Sequence, residues 1–187
     1  VGVVISVIIA FLVGLPTLRL KGDYLAIATL GVAEIIRVAV TNMKITNGAA
    51  GISGIPLTNT WTITYIFLVV TTILILNYTF SSAGRATYGV LQDEIAAESM
   101  GVQVTKYKIL AFVLGAATAS IGGTLSATTL GAVTPGDFTF MKSIDVLIIV
   151  VFGGIGSFTG SFVAAVLLGI INLVLQPFGQ LRMIIYA

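Results

Sequence analysis

The chain has 187 residues, 57% hydrophobic and only 9% charged, with a mean hydropathy of +1.12, whereas soluble domains run near ~25% charged. So few charges cannot clothe a water-soluble domain, and disorder, which needs low hydrophobicity and high net charge, is excluded as well. A net charge of +2 with scattered basic residues gives no footprint for nucleic acid, and with no Cys or His there are no disulfides, thiolate nucleophiles, imidazole bases or zinc clusters.

What remains is a protein whose partner is the lipid bilayer. A helix needs about 20 mostly apolar residues to cross the hydrocarbon layer, and the alternation of a membrane β-barrel is absent. The spacing predicts apolar helical segments over residues 1–15, 24–40, 63–80, 109–133, 144–152 and 162–175, with another starting at Leu181. The expected fold is all-α: one polytopic transmembrane bundle over residues 1–187, with about six to seven apolar segments. Residue 1 lies inside an apolar run with no initiating Met or cleavage site, and the end at Ile184, Ile185, Tyr186 and Ala187 is apolar too. The chain is therefore expected to be an internal piece of a longer protein.

The second segment carries Glu34 and Arg37, whose i,i+3 spacing puts them on one helix face. Ionisable groups inside a span are costly and often functional, which suggests a polar pathway element or a lock between helices. A local ion pair near the outer end, with Arg37 snorkelling, is the other reading. Lys142 and Asp145 repeat the spacing closer to a boundary, where a local pair is the simpler account. The stretch 47–56 is rich in turn residues.

The most informative segment is 81–108. If every candidate crosses, Arg19, Lys21, Arg85, Lys106 and Lys108 share one side, against Lys44, Lys142 and Arg182 on the other. The excess of basic residues puts 81–108 in the cytoplasm. Within it a short helix is expected, capped by Asp93 and ended by Gly101, with Thr105 capping a second helix that runs into the next span. A small-residue helix standing in water reads either as a docking element for a partner protein or as a solvated connector.

Residues 109–133 carry small side chains at every fourth position: Ala111, Gly115, Ala119, Gly123, Ala127 and Gly131. Such a stripe lets helix backbones approach closely in lipid, so tight intramolecular packing is expected. Segment 144–152 is short for a span; it either extends back through 138–143 or forms a half-membrane hairpin. The glycine-rich stretch 153–160 lacks the spacing of a dinucleotide loop, and no phosphate-binding loop occurs, so ATP chemistry must come from another polypeptide.

Five blocks carry a resemblance, in order: LRLKGDYLAIATLG at 18–31 followed by EIIR at 34–37, NGAAGISGIP at 47–56, EIAAESMG at 94–101, PGDFTF at 135–140 and GGIGS at 153–157. Together they resemble the branched-chain amino acid ABC transporter permeases of the LivM type. The third block looks like that family's version of the EAA coupling segment. The resemblance implies a multi-pass importer subunit of the inner (cytoplasmic) membrane that is not itself an enzyme. Its partners would be a second permease subunit, two cytoplasmic ATPase subunits carrying ATP and Mg, and an extracytoplasmic substrate-binding protein. By the same resemblance Asp93, Glu94, Ala96, Ala97, Glu98 and Gly101 would dock against an ATPase. Tyr88, Leu91 and Gln92 stand where relatives often carry Arg and acidic residues, which implies a differently charged ATPase surface. An ion- or proton-coupled secondary carrier working through Glu34 and Arg37 is the alternative function, and a non-transporting scaffold a third.

Overall fold

The computed structural model describes residues 1–20, 22–57 and 61–175. The segment expected from Leu181, and Lys21 and Arg182 of the charge count, lie outside the described residues. The described chain is helical, as expected, and its contacts divide it into two units, Val1–Asp137 and Phe138–Ala187.

The first unit holds α1 (Gly2–Thr17), α2 (Asp23–Asn42), α3 (Trp61–Phe80), α4 (Ser82–Gln92), α5 (Glu94–Ser99) and α6 (Val104–Leu130). Among the described residues α2, α3 and α6 are long and apolar enough to cross a membrane, while α1 and part of the last helix are shorter apolar helices. At about 1.5 Å per residue the 27 residues of α6 reach about 40 Å, roughly 10 Å more than the hydrocarbon layer.

The core of this unit is the antiparallel pairing of α1 with α6. Ser6 Oγ donates to the Ala116 carbonyl at 3.0 Å, Gly2 lies beside Ser120 and Thr124, and Gly14 lies beside Phe112. The packed row on α6 is therefore Phe112, Ala116, Ser120 and Thr124, one residue over from the expected stripe. A methyl group added at Gly115 or Gly123 would meet nothing within 4 Å. The expectation of tight packing within the chain is thus corrected at Gly115 and Gly123, whereas at Gly131 a Cβ would lie 3.1 Å from Leu57 Cδ2. The reason is that α1 brings its own small residues, Gly2, Ser6 and Gly14, so α6 can present larger side chains there.

The helix ends sooner than the segment 109–133 expected for it. Gly131 closes α6 in a left-handed conformation, φ +72°, its N–H bonded to the Ala127 carbonyl at 3.0 Å. Ala132 and Val133 then form a strand, β2 (Ala132–Val133), antiparallel to β1 (Ile52–Ser53), in the register Ile52 with Val133 and Ser53 with Ala132. Ile55 N–H extends the ladder to the Gly131 carbonyl at 3.0 Å. This ribbon fastens the chain after α2 to the chain after α6, so both helices end on one side of the unit. Gly51, at φ +73°, passes so close to β2 that a Cβ would lie 2.8 Å from Thr134 Cα and closer still to the Val133 carbonyl oxygen. Asn47 turns left-handed at φ +58°, a conformation its short polar side chain tolerates.

The second unit is a helical hairpin of α7 (Phe140–Gly153) and α8 (Phe158–Leu175). The expected 144–152 segment does extend back, to Phe140, yet its 14 residues reach only about 21 Å, short of the layer. The hairpin closes on glycines: a Cβ on Gly153 would lie 2.7 Å from the Gly160 carbonyl carbon. Lys142 Nζ stands 4.0 Å from the Asp145 carboxylate, a local pair.

Candidate functional site

The segment 81–108 is more helical than its composition suggested. Ser81 ends α3 and starts α4, accepting from the Gly84 N–H at 3.1 Å while donating to the Tyr78 carbonyl at 2.6 Å. Tyr78 and Thr87 hydroxyls meet at 2.6 Å across the corner, and Arg85 Nη1 donates to the Phe80 carbonyl at 3.0 Å. Gly84 leaves no room for a side chain, since a Cβ would lie 2.5 Å from the Thr79 carbonyl oxygen and nearer to that of Tyr78. Helix α4 is amphipathic, with Val90 buried against the bundle. Sequence reasoning missed it, although the Ser-Ser pair at 81–82 is an N-cap signal.

After one extended residue, Asp93, the chain turns into α5. Asp93 Oδ1 accepts from the N–H groups of Ile95 at 2.8 Å and Ala96 at 3.0 Å, the cap expected from sequence. Gly101, at φ +80°, ends the helix; the N–H groups of Gly101 and Val102 bond the Glu98 and Ala97 carbonyls at 2.9 and 3.0 Å. Thr105 is not the next cap. Helix α6 already begins at Val104, and Gln103 stands at its N-cap without a side-chain bond.

The residues implied as docking groups point different ways. Ala97 is buried, and the Glu94 carboxylate forms an ion pair with Lys108 Nζ. Ala96 and Glu98 are exposed, and so are Ile95 at 77% and Met100 at 84%. Ile95 and Met100 were missed in the sequence; large apolar side chains in and just after a short helix otherwise made of Glu, Ala and Ser are the signal that marks them. Thus α5 is fixed from one side by Ala97 and Glu94 and shows Ile95 and Ala96 on the other, while Glu98, one turn on from Glu94, lines a cavity with Phe11 and Leu15 of α1 and Leu110 of α6.

Between α4, α5, α6 and the ends of α1 and α2 lies an open cavity of about 850 Å³, lined by Leu18, Leu25, Val90 and Phe112, with Glu94 and Lys108 among its polar groups. Ala111, Gly115 and Ala119 also face it.

Glu34 and Arg37 do meet. Arg37 Nε donates to Glu34 Oε2 at 2.9 Å, and Arg37 Nη2 contacts Oε1. Because α2 runs on to Asn42, Glu34 lies within about 3 Å of the helix midpoint and Arg37 about 7 Å beyond it. The pair is local, yet closer to the middle of the helix than an outer-end placement would have it. Leu25, Ala28, Thr29 and Val32 of α2 are partly covered, whereas Ile27, Leu30 and Glu34 are exposed on the opposite face. Among the described residues no group of three His, Cys, Asp or Glu side chains is placed to hold a metal ion.

Long apolar helices, with a short capped helix at one end of the unit, are the build of a helical membrane protein. Residues 1–186 match the family described as branched-chain amino acid transport system / permease component, and the chain belongs to that family. It is 36% identical to the high-affinity branched-chain amino acid transport system permease protein LivM of Salmonella typhimurium over 96% of this chain and 51% of the relative. The LivM protein of Escherichia coli is also 36% identical, over 93% of this chain and 49% of the relative. The permease protein LivH of E. coli is 32% identical over 59% of this chain and 34% of the relative. The chain spans about half the length of the LivM proteins it matches. No solved structure matches it.

Proposed function

We propose that this chain is part of a permease subunit of an ATP-binding cassette importer, carrying branched-chain amino acids across the inner membrane. It works with a second permease subunit, two cytoplasmic ATPases that bind ATP and Mg, and an extracytoplasmic substrate-binding protein. The observation that carries the reading is the build of α5: a capped helix held to the bundle through Ala97, with Ile95, Ala96 and Met100 exposed beside it. A helix of six residues is too short to be stable alone, so its form depends on what it packs against. Exposed apolar residues beside an acidic one suit a groove on a soluble partner. Family membership supports the cargo class, since the similar LivM proteins are named for branched-chain amino acid transport.

Mechanically, closure of the ATPases on ATP displaces α5. The long α6, which α5 precedes by four residues, carries that displacement into the membrane. The full-length subunit reconstituted with its partners tests this. Leucine uptake into proteoliposomes is expected to require ATP and the binding protein, and a thiol introduced at Ala96 is expected to react only from the ATPase side. Uptake that survives without ATPase and stops with an uncoupler would instead assign the work to Glu34 and Arg37 in an ion-coupled carrier. Labelling of position 96 from the opposite side refutes the scheme outright.

A further inference from the structure

Helix α5 hangs between two breaks in the backbone. On one side Asp93 is extended, and on the other Gly101 is left-handed, with only Met100 to Gln103 between α5 and α6. Two flexible joints on either side of six residues cannot transmit a displacement unless something braces them. Ala97 contributes a single methyl group to the packing. A second contact is polar: the carboxylate of Glu94, in the first turn of α5, reaches the ammonium of Lys108, about 6 Å along α6 from its start. The Lys108 side chain is only 19% exposed, in a cavity wall that is otherwise largely apolar. In such a setting the attraction is stronger and less screened than between charges in open water, and separating the pair strands a cation in an apolar wall. The direction of force matters too. Glu94 is at the start of α5 and the covalent link leaves from its end, so the ion pair and the backbone hold α5 at two points rather than one.

We propose that the Glu94–Lys108 ion pair is the brace that makes α5 and α6 move as one body, so that Glu94 is a positioning residue of the transmission and not part of the ATPase-facing surface. The proposal rests on the reading of α5 as the docking helix, and the test separates the two. In proteoliposomes holding the complete transporter, wild-type leucine uptake that proceeds without ATP removes the docking reading itself. Where wild-type uptake is ATP-driven, Glu94→Gln and Lys108→Met are expected to assemble and hydrolyse ATP as wild type does, while delivering about tenfold less leucine per ATP. The exchanged pair, Glu94→Lys with Lys108→Glu, is expected to recover delivery to within about twofold. Unchanged delivery in both single variants overturns the brace, as does an exchanged pair that assembles and hydrolyses ATP but remains as impaired as they are. This chain has no cysteine, so Glu94→Cys with Lys108→Cys places the only two thiols in it. Joining them with a short bifunctional methanethiosulfonate is expected to preserve uptake. Uptake blocked by the link means that the two helices separate during the cycle, and the proposal falls.

Discussion

The two ends of the Val1–Asp137 unit are built on different principles. At one end the chain after α2 and the chain after α6 are sewn together by backbone hydrogen bonds, Ile52 with Val133, Ser53 with Ala132 and Ile55 with Gly131. At the other, α4 and α5 are held by side chains: the Tyr78–Thr87 hydroxyl pair, the buried Val90 and Ala97, and the Glu94–Lys108 ion pair. A ladder resists bending whatever the side chains are, because its donors and acceptors belong to the main chain. Side-chain contacts can be traded one at a time, and local opening is drawn from such weakly held regions. An end that must receive a force is served by the second kind of construction, and an end that must stay closed by the first.

The strongest way to break this contrast is at the ribbon. Gly51→Ala puts a Cβ against the β2 backbone and forces a left-handed conformation on alanine, and neither strand can retreat without losing its partner. A loss of about 4 kcal/mol is expected, read as a collapse of folded protein in the membrane and of its thermal unfolding midpoint. Gly84→Ala, at the other end, meets the carbonyls of Tyr78 and Thr79 but keeps a helical conformation, which alanine favours. Its cost is expected at about 3 kcal/mol by the same measurements. If Gly84→Ala proves the more damaging, the side-chain-built end is stiffer than the contrast allows.

The next effect lies in binding rather than folding. Ile95→Gln and Met100→Gln remove exposed apolar side chains that touch little of this unit. Stability is expected to change by less than about 0.5 kcal/mol, while affinity for a partner seated on α5 falls about tenfold for each, measured by titrating purified ATPase subunit onto the subunit in nanodiscs. Equal affinity in both variants would take the docking surface off Ile95 and Met100.

What the sequence made legible follows the same divide. The spans of α2, α3 and α6 are set by hydrophobicity over twenty residues, and the Asp93 cap and Gly101 stop by two residue types with strong local preferences. Three features were hidden, each decided by contacts distant in sequence. The ribbon joins residues some eighty positions apart. The packed row on α6 is chosen by small residues on α1, about a hundred positions away, and so Gly115 and Gly123 were misjudged. Glu94 looked like an outward acidic residue because nothing in its neighbourhood announces Lys108. Periodicity can say that a face is small or polar; it cannot say which face a remote helix will choose.

The smallest expected effects sharpen the reading of α5 itself. Asp93 and Thr105 were both expected to cap helices, and the residue types alone do not separate them. Asp93 accepts two N–H groups that α5 leaves without helical partners, so Asp93→Ala is expected to cost about 1 kcal/mol and to speed hydrogen exchange at Ile95 and Ala96. Asp93→Asn keeps an acceptor in place and is expected to lose about half of that or less. Thr105 lies inside the first turn of α6 and not at its N-cap, where Gln103 makes no side-chain bond, so Thr105→Ala is expected to be silent within about 0.5 kcal/mol. Because α5 has six residues, an uncapped α5 has few other bonds to fall back on, whereas α6 has 27 residues to hold its first turn. A silent Asp93→Ala, with exchange at Ile95 and Ala96 unaltered, would mean that Ala97 and the Glu94–Lys108 pair hold α5 without help from its cap.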